Sequence, residues 1–354
     1  MSLRLKLSIH TLAFTVNAQS DPPTHPDGWD LSFGGDGIVE SGCGGFSVGI
    51  WAGNFVVQPD DKILMFAGCE YNATLLRFLA DGAPDTDFGV NGRAAISATY
   101  GAWGIPALQS DGKILTINEL RDGGAKPQLV RYQSNGKLDS SFGINGVADG
   151  PFYISHLVTQ SDDKIVASSH QAGEGIARFT KDGALDSSFH GTGHLLIDEL
   201  LPKPNAQAYQ NIIDMGIQSD NNLLLAVFTS WKADVFATTE TWRVVAIRLK
   251  EDGSIDQDFA NAGVYTATQI TGPLDLTFCG RYFLVQADGK ILVKNARTSQ
   301  YVRLMPNGTV DPTFQATSGC FDQLLVDDAG YFIGGEGDHT KRLRPDGSLD
   351  TSWG

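Results

Sequence analysis

Short apolar runs alternate with glycine-containing turn pairs along almost the whole chain, and no stretch sustains the 3.6-residue apolar period of a helix. Runs such as "VVQPDDKIL" (Val56 to Leu64) and "ALQSDGKIL" (Ala107 to Leu115) place two apolar segments on either side of Asp-Gly or a similar pair. Such pairs reach positive φ, so each run predicts a strand, a tight primed turn and a second strand. A second pattern, "RYQSNGKLDSSFGINGV" from Arg131, predicts the end of a third strand, another turn, and the start of a fourth. With 41 glycines in 354 residues, the chain reads as all-β and rich in tight turns.

Both patterns repeat. The hairpin block returns as "VTQSDDKIV" (Val158 to Val166), "GIQSDNNLL" (Gly216 to Leu224), "LVQADGKIL" (Leu284 to Leu292) and a worn copy, "LLVDDAGYFI" (Leu324 to Ile333), making six copies in all. The arginine block starts at Arg77, Arg131, Arg178, Arg248, Arg303 and Arg342, and in each an aspartate follows the arginine by eight residues and an aromatic by three more. Four strands in a unit a little above fifty residues is the pattern of a β-propeller, which limits the exposure of sheet edges by repetition around an axis. An open solenoid is the structural alternative. "WDLSFGGDGIV" (Trp29 to Val39) is a half-repeat offering only a fourth strand, while the chain's last repeat ends after three. Ile38 and Val39 are therefore expected to complete the last of six blades, with residues 28–354 as one propeller domain.

Through "QxDGKIL" and "RxxxDGxLDxxFG" the chain resembles the delta-60 repeat family of predicted bacterial β-propellers, from about Pro26 to Gly354. The resemblance implies a fold and no reaction. The worn last hairpin, which lacks the glutamine and the lysine, departs most from the pattern.

Six identical copies cannot all serve one active site, so the Arg-to-Asp spacing reads as construction: the carboxylate accepts backbone N–H groups or pairs with the guanidinium, and Phe142 and its equivalents fill gaps between blades. Variation points to a site instead. The loops at the other end of the blades differ widely in length, from "GEGDHTK" (Gly335 to Lys341) to "FTSWKADVFATTETW" (Phe228 to Trp242). Function sits on such loops when a rigid scaffold holds them. Near the opening of the innermost strands stand Trp51, Trp103, Tyr153, Asn211 or Ile212, Cys279 and Cys320. The expected ligand-contact set is Trp51, Trp103, Tyr153, His156, Tyr209 and Trp231, with plugging of the axis as the alternative role of the aromatics.

Charge narrows the partners. A net charge of −15 without a basic stripe opposes nucleic-acid binding. The expectation is a monomeric, non-enzymatic propeller that needs no cofactor and recognises a glycan, peptide or small ligand. A hydrolase or lyase using Glu70, Glu119, His156 and His339 is the alternative, and a structural unit of a larger assembly is a third reading. "GFSVG" (Gly45 to Gly49) matches a nucleophile elbow without the strand-to-helix turn that chemistry requires, and His190 with His194 has metal-ligand spacing only if helical. Residues 1–27 read as a leader, either a secretory signal over residues 1–18 or an alternating strand. No stretch reaches the roughly 20 apolar residues of a membrane span. Export would place the protein outside the cell or on its surface and allow Cys279–Cys320 or Cys43–Cys320 pairing, with Cys69 also on the variable face; free cysteines are the alternative.

Overall fold

In the computed structural model the described residues are 55–69, 72–99, 106–118, 128–234, 237–272, 282–295, 297–315, 317–318, 323–327, 329–336 and 339–352. They form six antiparallel sheets, the blades of an all-β, six-bladed propeller fold. Blade 1 holds β1 (Phe55–Val57), β2 (Ile63–Cys69), β3 (Asn72–Phe78) and β4 (Arg93–Thr99), and blade 2 holds β5 (Ala107–Leu108), β6 (Ile114–Asn118), β7 (Gln128–Tyr132) and β8 (Val147–Asp149). Blade 3 is β9 (His156–Thr159), β10 (Ile165–Ser168), β11 (Gly175–Phe179) and β12 (His194–Leu196), followed by one helical turn, α1 (Ile197–Leu200). Blade 4 has the longest strands: β13 (Tyr209–Ile217), β14 (Leu223–Lys232), β15 (Glu240–Leu249) and β16 (Val264–Gly272). Blade 5 comprises β17 (Phe283–Val285), β18 (Ile291–Lys294), β19 (Gln300–Leu304) and β20 (Thr317–Ser318); blade 6 comprises β21 (Gln323–Val326), β22 (Phe332–Glu336) and β23 (His339–Leu343). Ile38 and Val39, expected as its fourth strand, lie outside the described residues.

Two compact units divide the chain, one running to Asp149 and taking in the residues from Asp350, the other spanning Gly150–Leu349. Within each, the cores lie between successive blades. In the first unit Leu64, Phe66 and Leu75 of blade 1 pack with Ile114, Val130 and Tyr132 of blade 2. In the second, Leu223, Leu225 and Val227 of β14 join the core with blade 3, while Leu224, Ala226 and Phe228 join the core with blade 5. A central strand buried on both faces needs an unbroken apolar run, which is why "LLLAVF" shows no alternation.

The hairpin turns correct one expectation. Asp61 N–H donates to Gln58 O at 2.9 Å, Gln58 N–H donates to Lys62 O at 2.7 Å, and only Asp61 has positive φ, at 64°. This is a three-residue loop with a single left-handed residue before the second strand, not a two-residue primed turn. Gly112, Asp163, Asn221, Gly289 and Gly330 occupy the same position with φ between 65° and 84°. The worn last hairpin keeps this geometry, with Asp327 N–H on Tyr331 O at 3.0 Å. The recurring glutamine also gains a role that its spacing did not disclose. Gln160 Nε2 donates to Asn221 O at 3.1 Å and Gln218 Nε2 to Gly289 O at 3.0 Å, so each glutamine ties its hairpin to that of the next blade.

The arginine block is a clasp. Arg77, Arg131, Arg178, Arg248 and Arg303 each donate from Nε to the aspartate eight residues on, at 2.8–2.9 Å, and each guanidinium lies 4.4–5.0 Å from the centre of the aromatic ring that follows. The aspartate's other oxygen accepts the N–H two residues further on, as Asp139 does from Ser141 at 3.2 Å. Nη1 then reaches the next blade: Arg77 donates to Ser134 O, Arg178 to Glu251 O, Arg248 to Pro306 O and Arg303 to Pro345 O. The residue after the aromatic adds a backbone bond to the same turn, as Gly89 N–H does to Asn135 O at 2.8 Å. In blade 6 the partner ring is Tyr331, 4.6 Å from the Arg342 guanidinium.

Burial would raise the pKa of Asp139 and Asp186, but hydrogen bonds from Ser141 and Ser188 and the paired arginines hold both below the usual range. Asp311 is pulled to about 2, first by the Thr313 hydroxyl and N–H and then by Arg303.

The ring of Phe88 sits on Gly136 of the next blade's turn: a Cβ there would come within 2.9 Å of the ring, in a residue whose φ is 82°. Gly112 has nearly the same φ, 79°, but a Cβ there would meet only Ser134 at 3.5 Å. Gly112→Ala should therefore cost about 1 kcal/mol, the backbone strain alone, and Gly136→Ala about 2–4 kcal/mol, strain plus displacement of the ring. Urea unfolding of the two variants measures the difference, and equal losses would remove the ring from the account.

Acid should act through the aspartates. A carboxylate whose folded pKa lies below its unfolded value of 3.8 contributes stability above that pH and loses it as pH falls toward about 2. Urea midpoints should therefore drop between those limits. Asp311→Asn should be less stable at neutral pH and show a shallower acid loss than the wild type.

Candidate functional site

Departures from the repeat concentrate in the second unit, at the ends of blades 3 and 4 away from the arginine turns. Strands of nine and ten residues extend blade 4 beyond its neighbours, whose strands run from two to five. The connection from α1 to β13 is tied to this extension, because Asn205 Nδ2 donates to Lys232 O at 2.6 Å.

At the end of blade 3, Glu174 organises the connection between β10 and β11. Its Oε2 accepts from Tyr153 N–H at 3.1 Å and from the Ser169 hydroxyl, which in turn accepts Gln171 N–H at 3.0 Å. The Tyr153 ring meets His170 edge-on, with centroids 5.2 Å apart, and Asn211 Nδ2 of β13 donates to His170 O at 3.1 Å. Tyr153, His170, Glu174 and Asn211 are thus joined through contacts across two blades. His156 pairs locally, its Nδ1 lying 3.0 Å from the Ser155 hydroxyl.

Blade 4 presents two different faces. Tyr209 lies opposite Ser230, and Ser230 opposite Trp242, so these residues share one face. There Tyr209, Phe228 and Trp242 form a run of rings with centroids 6.2 and 5.7 Å apart, the second pair stacked, and Tyr209 is 43% exposed. Trp231 is one residue on and points to the other face, where the Arg243 guanidinium lies 5.6 Å from its ring centre. The row Gln210, Thr229, Arg243 and Gln269 crosses this second face directly, strand to strand.

Of the expected ligand contacts, Tyr153, His156, Tyr209 and Trp231 lie in this region, though Tyr209 and Trp231 stand on opposite faces. Trp51 and Trp103 lie outside the described residues, as do Glu70, Glu119, Cys43, Cys279 and Cys320. Cys69 and His339 are described by backbone alone, in β2 and β23. His190 and His194 do not sit on a helix: His190 has φ of 51° in a turn and its Nε2 lies 3.1 Å from Glu199, while His194 opens β12.

Glu174, Gln210, Thr229, Arg243 and Lys294 were not singled out by the sequence. Lys294 carried a visible signal. It ends β18, fully buried, where the corresponding strands place Phe66, Ile117, Ser168 and Ala226. Its Nζ lies 5.7 Å from the Tyr282 ring centre and 6.0 Å from that of Tyr301. Burial, then the Asp214 charge, pushes the Tyr282 hydroxyl well above its ordinary pKa. Asp214 has a structural task, accepting Tyr282 N–H at 2.8 Å and Phe283 N–H at 3.0 Å to pin blade 4 to blade 5.

No helix among the described residues is long and apolar enough to cross a membrane. No curated protein matches the chain. Among solved structures, it is similar to a catalytically inactive virginiamycin B lyase from Staphylococcus aureus with quinupristin, at 12% identity and a TM-score of 0.48 over 86% of each chain. It is also similar to a gluconolactonase from Xanthomonas campestris, at 16% identity and a TM-score of 0.39 over 75% of this chain and 80% of that one. A third is regucalcin, a calcium-binding protein from Agrobacterium tumefaciens, at 15% identity and a TM-score of 0.37 over 71% of this chain and 72% of that one. The family model described as "Domain of unknown function (DUF5122) beta-propeller" matches residues 109–142, 160–189, 286–314 and 329–352. Each matched segment contains an arginine and the aspartate eight residues on, so these four stretches of a chain that folds as a β-propeller match the DUF5122 repeat, the delta-60 type that the sequence resembles.

Proposed function

We propose that this chain is a non-enzymatic binding propeller whose variable loops recognise a glycan, peptide or small ligand, with blade 4 as the principal contact. The run of rings from Tyr209 through Phe228 to Trp242 carries the reading. It ends in a tyrosine exposed at the tip of a strand, and aromatic faces beside polar groups suit stacking on a sugar ring or an apolar side chain. The clasp holds the opposite ends of the blades rigid, so the loops have a fixed platform. Export to the cell exterior belongs to the same reading, and thiol counting on protein recovered from its native compartment tests it, because paired cysteines are expected outside the cytosol.

Glycan and peptide arrays probed with the purified protein test the binding reading. Tyr209→Ala should weaken the strongest array interaction about tenfold and leave the urea midpoint nearly unchanged. Val90→Ala, a change at a 75% exposed residue in the other unit, should alter neither. Absence of any array binding, or a Tyr209→Ala variant that loses stability and keeps its affinity, would overturn the reading.

A further inference from the structure

The second face of blade 4 holds, in one cross-strand row, three polar side chains that each have an atom without a hydrogen-bond partner among the described residues. Gln210, Thr229 and Arg243 lie directly opposite one another on β13, β14 and β15, so adjacent members are separated by about 5 Å, the spacing of neighbouring strands. Gln210 Oε1, Thr229 Oγ1 and Arg243 Nε are all buried and have no hydrogen-bond partner among the described residues. Gln210 and Thr229 are fully buried as residues. Leaving such groups unsatisfied weakens a fold, so a row of three calls for an explanation.

The chemistry of each group is set by its surroundings. Gln210 Nε2 donates to Asp198 Oδ1 and to Leu201 O, both at 2.8 Å, so its amide cannot be turned over and its carbonyl oxygen is the group left to accept. The Thr229 hydroxyl can donate or accept. Among the described residues Arg243 meets no carboxylate, in contrast to Arg178 and Arg248 of the clasp, and burial pulls its pKa below the ordinary value. A single water could bridge the carbonyl and the hydroxyl but could not balance the guanidinium. Beneath the row, Ile212, Val227 and Val245 form an apolar layer; beyond it, Trp231 supplies a ring face beside Arg243.

We propose that this row is a subsite for a small hydroxylated carboxylate of the sugar-acid kind, its carboxylate on Arg243 and a hydroxyl donating to Gln210 Oε1. Thr229 bridges the two, and Trp231 lies along the ring or carbon chain. The ligand enters from the Arg243 side, where Gln269 of the same row is exposed. The inference rests on the reading of blade 4 as a binding element and names the ligand class for its second face.

D-Glucuronate, D-galacturonate and D-gluconate, each up to about 10 mM, are titrated by calorimetry and tryptophan fluorescence against D-glucose as the uncharged control. At least one acid should bind, at least tenfold tighter than glucose. Arg243→Gln should abolish that preference. Thr229→Val supplies the discriminating measurement, because it removes an unsatisfied buried hydroxyl without changing shape: affinity should fall at least threefold while the urea midpoint rises. Unchanged affinity in Thr229→Val would overturn the subsite even if the midpoint rises. Binding of glucose as tight as that of the acids would overturn the assigned ligand class, and no binding of any acid would overturn the inference. None of these results touches the array behaviour of Tyr209→Ala, which lies on the other face and decides the broader reading by itself.

Discussion

A buried guanidinium held from three sides is the interaction on which the rest of this structure depends. Removing an arginine from water is costly unless its charge and its donors are both met. Here the carboxylate eight residues on meets the charge, the next blade's turn carbonyl takes Nη1, and an aromatic ring covers a face of the plane. Lysine could not replace it, because a single ammonium lacks both the planar face and the fork of donors. The same side chain therefore fixes a turn within its own blade and a contact to the following one. That double duty explains why arginine, aspartate and aromatic keep their spacing while neighbouring positions drift.

Glycine completes the device. The Asp-Gly or Asn-Gly turn needs a left-handed residue, and the preceding blade's ring rests where a side chain would be, as Phe189 does on Gly253 and Phe314 on Gly347. Turn chemistry and packing between blades thus select the same residue. With one end of each blade set in this way, loops at the other end can lengthen without disturbing the stack. Blade 4 has lengthened most, and its extra residues carry the aromatic run, the Arg243 row and the tie from Asn205.

The repeat was legible in the sequence because its causes are local: glycine pairs mark turns, apolar runs mark strands, and a constant interval between arginine and aspartate marks a contact. The turn type was misread because an Asp-Gly pair signals positive φ without saying how many residues adopt it, and only one does. The glutamine's role was hidden because its partner lies a full repeat away. For the candidate site, Tyr153, His156, Tyr209 and Trp231 lie at the variable end of blades 3 and 4, but their grouping could not be read. The register of β13 shifts between Ile212 and Asp214, so counting alternate residues back from Gln218 assigns Tyr209 to the wrong face. A bulge changes parity without leaving a residue-type signature.

The pairing of arginine separates the two ends of blade 4, where Arg248 has its aspartate and Arg243 meets no carboxylate among the described residues. At the turn end, every described arginine from Arg77 to Arg303 in the clasp finds an aspartate, and the serine or threonine two residues beyond that aspartate, where present, bonds to it in turn. At the far end of blade 4 an arginine Nε, a hydroxyl and an amide oxygen stand in a row without hydrogen-bond partners among the described residues. The same chain therefore contains both a worked solution for burying arginine and a place where that solution is withheld. Selection for stability alone would favour an apolar residue at Thr229, since a valine there keeps the shape and removes the penalty. Groups that weaken the fold and could be replaced so simply are the ones whose presence a ligand best explains.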